Sequence, residues 1–411
     1  MNRYNLNNST KLPEGWRLVR LGEICNFKRG PFGGSLRKEI FIKDGYKVYE
    51  QQHAIRNNFE IGHYCIPEEK YFEMVDFSIK PNDLIISCSG TMGKIAIVPH
   101  DAKPGIINQA LLKLTPKAGI VLSNFIKYIL ESDNIQNSYF KNTSGAAIKN
   151  VASVSLLKTI PIPLPPLPEQ KRIAAILNEQ MAAVEKARAA AEAQREAAKA
   201  LQGAYLKEVF ESQTAKNWSK KRCQELIDVR DGTHDTPKYV DKGVPLITSK
   251  NLKLSGLDFT NVQFISREDH EQIKKRSQVD VGDILFAMIG TIGNPVIVNT
   301  NREFSIKNVG LFKMNNSPLN RDFSFFVLQS SIVTKQLDKT LQGGIQKFVS
   351  LNVLRNLMIP LPSPAEQESI ATMLHNQMAE TERLRKSIDE QLNTIKSLPA
   401  SLLRQAFSGE L

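Results

Sequence analysis

The chain has 411 residues, 41% hydrophobic and 23% charged, with 54 Lys and Arg against 42 Asp and Glu, a net charge of +12. At roughly 100–200 residues per domain this predicts two to four folding units and excludes a disordered or fibrous chain. No apolar run is long enough to span a bilayer, the start lacks an apolar signal core, and Cys25, Cys65, Cys88 and Cys223 form no C-x-x-C pair. A cytoplasmic protein with free thiols and no membrane span is expected, and the positive charge points to an acidic partner such as nucleic acid.

In chain order, residues 1–168 mix short β-branched runs, turn residues and a few amphipathic stretches such as Ser123–Ile135. Within 83–98, two apolar runs flank Ser89-Gly90-Thr91-Met92-Gly93-Lys94. The spacing is not that of a phosphate loop, and Ile95 stands where a Mg²⁺-binding hydroxyl belongs, so a hairpin around a Gly turn is expected. A proline cluster at 161–168 closes this region, because Pro lacks the amide donor that a helix or central strand needs. Residues 169–212 are then rich in Ala, Glu, Gln, Lys and Leu and predict a long helix. Glu169 and Glu366 fall near helix starts, where the dipole favours negative charge.

The same order then recurs. DLIISCSGTMGKIAIV (83–98) returns as DILFAMIGTIGNPVIV (283–298), PIPLPPLPEQ (161–170) as MIPLPSPAEQ (358–367), and Trp16 is echoed by Trp218. Residues 213–365 repeat 1–168, and 366–411 repeat 169–212. Both helical segments carry apolar or small residues spaced alternately by four and three. Ile173, Leu177, Gln180, Val184, Ala187, Ala191, Gln194, Ala198, Leu201 and Tyr205 match Ile370, Leu374, Gln377, Thr381, Leu384, Ile388, Gln391, Ile395, Leu398 and Leu402. That is a coiled-coil seam, and the thin Ala-rich line suits the bulkier one, so the two helices are expected to pair within the chain. Gly203 and Pro399 predict a kink before a short terminal helix in each.

The charge divides with the repeats. Residues 1–168 and 213–365 each carry a net +7, while 169–212 carry zero and 366–411 carry −2. Two basic modules joined by a spacer with no positive excess would meet phosphates at two separate places. The framework residues match, but the early loops differ: GPFGGSLRKE (30–39) and YKVYEQQHAI (46–55) in one, GTHDTPKY (232–239) and VPLITSKN (244–251) in the other. Arg37, Lys38, Glu50, Gln51, Gln52 and His53 in the first repeat are candidate base readers. Those in the second are His234, Asp235, Thr236, Lys238, Thr248, Ser249, Lys250 and Asn251, since these side-chain types pair with base edges. Lys28, Arg29, Lys94, Lys149 and Lys347 are candidate phosphate contacts. No zinc spacing, nucleotide-binding glycine motif, G-x-S-x-G or amino-methyltransferase Asn/Asp-Pro-Pro-aromatic motif is present.

PEGW-x-x-x-x-LGEI (13–24), RDGTHDTPKY with PLITSKN (230–251), the twin GTxG segments, the PLPxxEQ-like helix entrances and the terminal LLRQAFSGEL together resemble the DNA-specificity subunit of type I restriction–modification systems. The resemblance covers the whole chain, with PSPAEQ replacing PPLPEQ at the second entrance. It implies an α+β fold, with two target-recognition domains held apart by two long antiparallel helices. It further implies a bipartite, asymmetric double-stranded DNA target and a chain with no catalytic role and no cofactor. Two methylase subunits would bring S-adenosylmethionine, and restriction subunits would bring ATP and Mg²⁺. The competing readings are a nuclease or methyltransferase with an unrecognised site, and a coiled-coil scaffold with no DNA role.

Overall fold

The computed structural model of the chain describes residues 12–141, 153–253, 255–340 and 348–411. Two compact units emerge: residues 1–191 with 391–411, and residues 192–390. In the first, an antiparallel sheet runs in the order Cys25–Arg29, Leu111–Pro116, Leu84–Ser87, Ile95–Ile97. A smaller sheet sets Tyr46–Tyr49 between Cys65–Ile66 and Gly105–Ile107, and the pairing with Gly105–Ile107 is parallel. The second unit repeats both. Its antiparallel sheet runs Asp228–Asp231, Val309–Lys313, Ile284–Ala287, Gly293–Ile297, and Val244–Thr248 lies parallel to Ser305–Lys307.

The central strands are apolar without alternation because both sheet faces are covered. Leu84 and Ile86 enter a core shared with helix residues, while Ile85 between them enters the core beneath the smaller sheet. In the second unit Ile284 and Phe286 point one way and Leu285 and Ala287 the other. The predicted hairpins form in both repeats, with positive φ at Gly90 and Gly93 and again at Gly290 and Gly293. Ser87 Oγ ties the first turn, accepting from the Lys94 amide and donating to the Thr91 carbonyl. Ser123–Glu131 is the expected amphipathic helix, burying Phe125, Ile126, Tyr128, Ile129 and Leu130.

Two long helices, Leu167–Phe210 and Pro364–Ser408, complete the chain. Each contributes one part to each unit. In the first unit Ile173 and Leu177 share a core with Leu403 and Ala406, and Arg172 donates to the Leu411 carbonyl oxygen at 2.6 Å. In the second, Leu206 and Phe210 share a core with Ala371 and Leu374, and Arg195 meets Asp389 at 2.7 Å. Residue numbers rise on one helix as they fall on the other, so the pairing inside each unit is antiparallel.

Two expectations about these helices need correction. Both run unbroken through Gly203 and Pro399, so there is no separate terminal helix. An interior Gly costs only about 1 kcal/mol, and the turns beyond both residues are anchored by Leu206, Phe210, Leu403 and Ala406. The seam is also narrower than the heptad suggested. Leu177, Val184, Ala191 and Ala198 are buried, as are Leu374, Thr381 and Ile388, but Ala187, Gln194, Leu384, Gln391 and Leu398 are exposed. Helices that approach along a line of small residues cover one row of side chains and leave the second row open.

The Glu-Gln at each helix entrance is a lock. Gln170 is fully buried. Its Oε1 accepts from the Leu122 amide at 3.0 Å, and its Nε2 donates to the carbonyls of Ile120 and Pro165, each at 3.0 Å. Gln367, 1% exposed, repeats the arrangement with the Asn320 amide at 2.7 Å and the Pro362 carbonyl at 3.0 Å. Each helix start is thereby fixed to the loop before the amphipathic helix of its own repeat. Glu366 caps its helix through Ser363, which holds its carboxyl below the usual range, whereas Glu169 pairs with Arg172, which does the same.

Candidate nucleic-acid interface

In each unit the divergent loops gather at the carboxyl end of the parallel strand pair. In the second, Thr248 lies in register with Lys307, and Thr233 bridges to Lys307. His234 Nδ1 is 2.9 Å from Asn308 Oδ1, Ser249 donates to the Asn308 carbonyl at 3.3 Å, and Lys307 donates to Thr236 Oγ1. Beneath them the carboxylate of Asp231, 2% exposed, takes His234 Nε2 at 2.8 Å and also Arg276. Asp235, Thr236, Lys238 and Lys250 stand exposed around this hub.

The first unit builds the same platform from other residues. The Asn108 amide donates to the Tyr49 carbonyl at 2.9 Å, closing the parallel pair, and Ser89 donates to Gln51 Oε1 at 3.2 Å. Gln52 donates to Glu50 at 2.8 Å, while Arg37 and Lys38 are exposed on the preceding loop. In both units a glycine lets the first loop cross the strand end. A Cβ on Gly30 would lie 1.8 Å from the Asn108 carbonyl oxygen, and one on Gly232 would lie 2.2 Å from that of Ile306.

Two candidate base readers are structural. His53 is fully buried, its Nδ1 accepting from the Glu50 amide at 2.9 Å and its Nε2 donating to the Ile61 carbonyl at 2.7 Å. Burial pushes its imidazole below the ordinary value despite these bonds. Asn251, 5% exposed, accepts from the Thr248 amide at 3.0 Å and donates to the Asp258 carbonyl at 3.0 Å. Both hold the third position of a capping box, Glu50 with His53 and Thr248 with Asn251, and neither reaches the surface. The register therefore equates Gln51 and Gln52 with Ser249 and Lys250.

Among the phosphate candidates, Arg29 is half-buried at a strand end and Lys94 is exposed beside the hairpin turn. Lys28 is held by Asp76 at 2.8 Å and lies 4.6 Å over the Phe77 ring, which leaves it a poorer phosphate contact. Lys149 and Lys347 lie outside the described residues. Lys307, Asn308, Arg276, Asn108 and Ser89 belong to the platforms but were not among the sequence candidates. The recurrence of Asn at 108 and 308, each 25 residues past the aspartate that opens the repeated hairpin segment (Asp83 and Asp283), was the one available signal.

Burial pushes the thiols of Cys25, Cys88 and Cys223 up to about 12, about 11 and about 12, which makes them inert. Among the described residues no three His, Cys, Asp or Glu are grouped to hold a metal ion, and no helix is long and apolar enough to cross a membrane.

The type I restriction modification DNA specificity domain matches twice, over residues 13–192 and 215–394. The chain belongs to this family. It is a specificity subunit of a type I restriction–modification system, and such subunits are DNA-recognition components without catalytic activity of their own. Full-length relatives agree. The chain is 25% identical to the MjaVIII specificity subunit of Methanocaldococcus jannaschii, over 96% of this chain and 93% of that one. It is 23% identical to the EcoKI specificity subunit of Escherichia coli K12, over 98% and 90%. Among solved structures, a chain of a type I R-M system described for its complex assembly and conformational transition superposes with a TM-score of 0.74 at 21% identity, covering 98% of this chain and all of that one. The HsdS subunit of Thermoanaerobacter tengcongensis gives 0.65 at 21% identity, covering 98% of each. In this family two modules that bind DNA and assemble with the other subunits of the system are the expected content of one chain, which accounts for the duplication.

Proposed function

We propose that residues 1–168 and 213–365 are two target-recognition domains, each reading one half of a bipartite, asymmetric double-stranded DNA site. The observation that carries this is the pair of platforms: one frame built twice, with different donors and acceptors at the same strand ends. Arg37, Lys38, Glu50, Gln51 and Gln52 read the first half-site. The second is read by Asp235, Lys238, Ser249 and Lys250, with His234, Thr236 and Thr248 shaping the loop that carries them. Arg29, Lys94, Lys149 and Lys347 take phosphates.

The helical parts, 169–212 and 366–411, serve as spacer and as docking surface for two methylase subunits. Restriction subunits complete the assembly. S-adenosylmethionine, ATP and Mg²⁺ reside on those partners, and the complex works in the cytoplasm, where the DNA is. The reading as an enzyme in its own right is disfavoured by the match of a DNA specificity domain to both halves of the chain.

The decisive experiment exchanges residues 213–365 for the same part of a relative and reads the methylated motif by genome sequencing. One half of the motif should change and the other persist; a change in both would refute the modular reading. Adding one heptad after Gln194 and after Gln391 tests the spacer. Seven residues keep the seam in register and lengthen each helix by about 10 Å, equivalent to about three base-pair steps. The half-sites should keep their bases while the gap grows by about one to three pairs. An unchanged gap in an active variant would reduce the helices to docking surface.

A further inference from the structure

The loop after Gly30 carries a side chain that neither the fold nor base-edge hydrogen bonding uses. Phe32 is 93% exposed, the most exposed large apolar side chain among the described residues; the next, Phe72, is 59% exposed. The loop is not simply loose around it. Pro31 before it is buried, the Ser35 amide donates to the Phe32 carbonyl at 2.9 Å, and Leu36 is buried with Val48, Ile66, Met74 and Ile106. An apolar core therefore lies at the foot of the loop, yet the loop holds Phe32 away from it.

Its surroundings in sequence are cationic. Arg29 precedes it at the strand end, and Arg37 and Lys38 follow, both exposed. The equivalent place in the second repeat, two residues past Gly232, holds His234, which is engaged with Asp231 and Asn308 and so is not free in the same way. An apolar ring presented beside positive charge suits a ligand that is polyanionic outside and aromatic inside, which describes a duplex with its phosphates and stacked bases.

We infer that Phe32 is a wedge that enters a base step at the half-site bound by the first repeat, while Arg29 holds the flanking backbone and Arg37 and Lys38 read the adjoining base edges. Apolar side chains inserted in this way unstack a step and kink the duplex. The inference rests on the proposed reading of residues 1–168 as a DNA reader. It adds that this half-site is recognised partly by how easily one of its steps opens, which sets it apart from the second.

The test compares the full chain with Phe32→Ala and Phe32→Trp on end-labelled duplexes carrying the methylated motif, following affinity and bend angle by energy transfer. Base–aromatic stacking of about 1–3 kcal/mol corresponds to roughly a five- to 150-fold loss for Phe32→Ala, with a smaller bend and retained bending in Phe32→Trp. Thermal unfolding should be unchanged, because the ring is not in a core. An alanine variant that binds and bends DNA like the wild type would overturn the wedge while leaving the recognition reading standing. Intact DNA binding with weakened subunit assembly would overturn it too, and assign the ring to a protein contact. A wild-type chain without sequence preference would instead sink the recognition reading beneath it.

Discussion

At one point in the frame the two repeats can be compared residue by residue. The Gly30 amide donates to the Leu111 carbonyl and the Gly232 amide to the Val309 carbonyl, each at 2.9 Å, so the two glycines are equivalent. Just before them stand Arg29 in one repeat and Asp231 in the other. Asp76 and Arg276, each seven residues ahead of the matching Asp83 and Asp283, are likewise opposite in sign. Asp76 pairs with Lys28, whereas Arg276 pairs with Asp231. The charges have been exchanged without disturbing the strands. Backbone hydrogen bonds, a glycine crossing and a buried sheet are indifferent to the side chains on the strand ends, which are therefore free to diverge.

The largest effects should come from what the repeats share. Gly30→Ala and Gly232→Ala each drive a Cβ into a backbone carbonyl that cannot swing aside. Each should cost about 2–3 kcal/mol in urea unfolding, and each should spoil recognition of its own half-site alone. Equal damage to both half-sites would break the equivalence. Next come Gln170→Ala and Gln367→Ala, which strand the Leu122 and Asn320 amides. A buried donor left unpaired costs about 1–3 kcal/mol, and the two losses should be similar because the locks are similar.

Smaller and one-sided effects should mark where the repeats differ. Asp231→Asn removes the charge that gathers His234 and Arg276 and should cost about 1 kcal/mol, relaxing discrimination at the second half-site only, as read by motif sequencing. Lys250→Ala should relax the same half without loss of stability. The gentlest probe is pH. Burial holds both His53 and His270 below their ordinary values. The unfolded chain therefore takes up protons first as pH falls below about 6.5, and stability is lost from there downward. Melting temperatures at pH 7.5 and 5.5 should differ in that sense, and a flat profile would show that neither imidazole stays neutral in the fold.

Much of this was legible because duplication prints the same message twice. The hairpins at 83–98 and 283–298, the helix entrances and the long helices were all marked by local composition. The sites were only half legible. Divergent loops pointed to the strand ends where the candidate residues gather, but Lys307, Asn308 and Arg276 arrive there through parallel strand pairing and a distant helix, which no local pattern encodes. His53 and Asn251 looked like recognition residues because a capping box and a base-reading loop draw on the same polar side chains. The heptad overstated the seam for a related reason: periodicity marks which residues share a helix face, not how many rows a partner covers.

The division of the chain has a consequence in time as well as in space. The unit containing residues 192–390 is continuous, so all of its core, from Leu206 to Leu374, is available once that stretch has been synthesised. The other unit begins first but draws Leu403 and Ala406 into its core, residues that lie at the far end of the chain. The half of the protein that is translated earliest is thus the last to be finished, and until residues 391–411 emerge, Ile173 and Leu177 lack part of their packing. A chain cut after residue 390 would keep a whole second unit but an open first one, so loss of residues 391–411 would damage the amino-terminal half of the molecule.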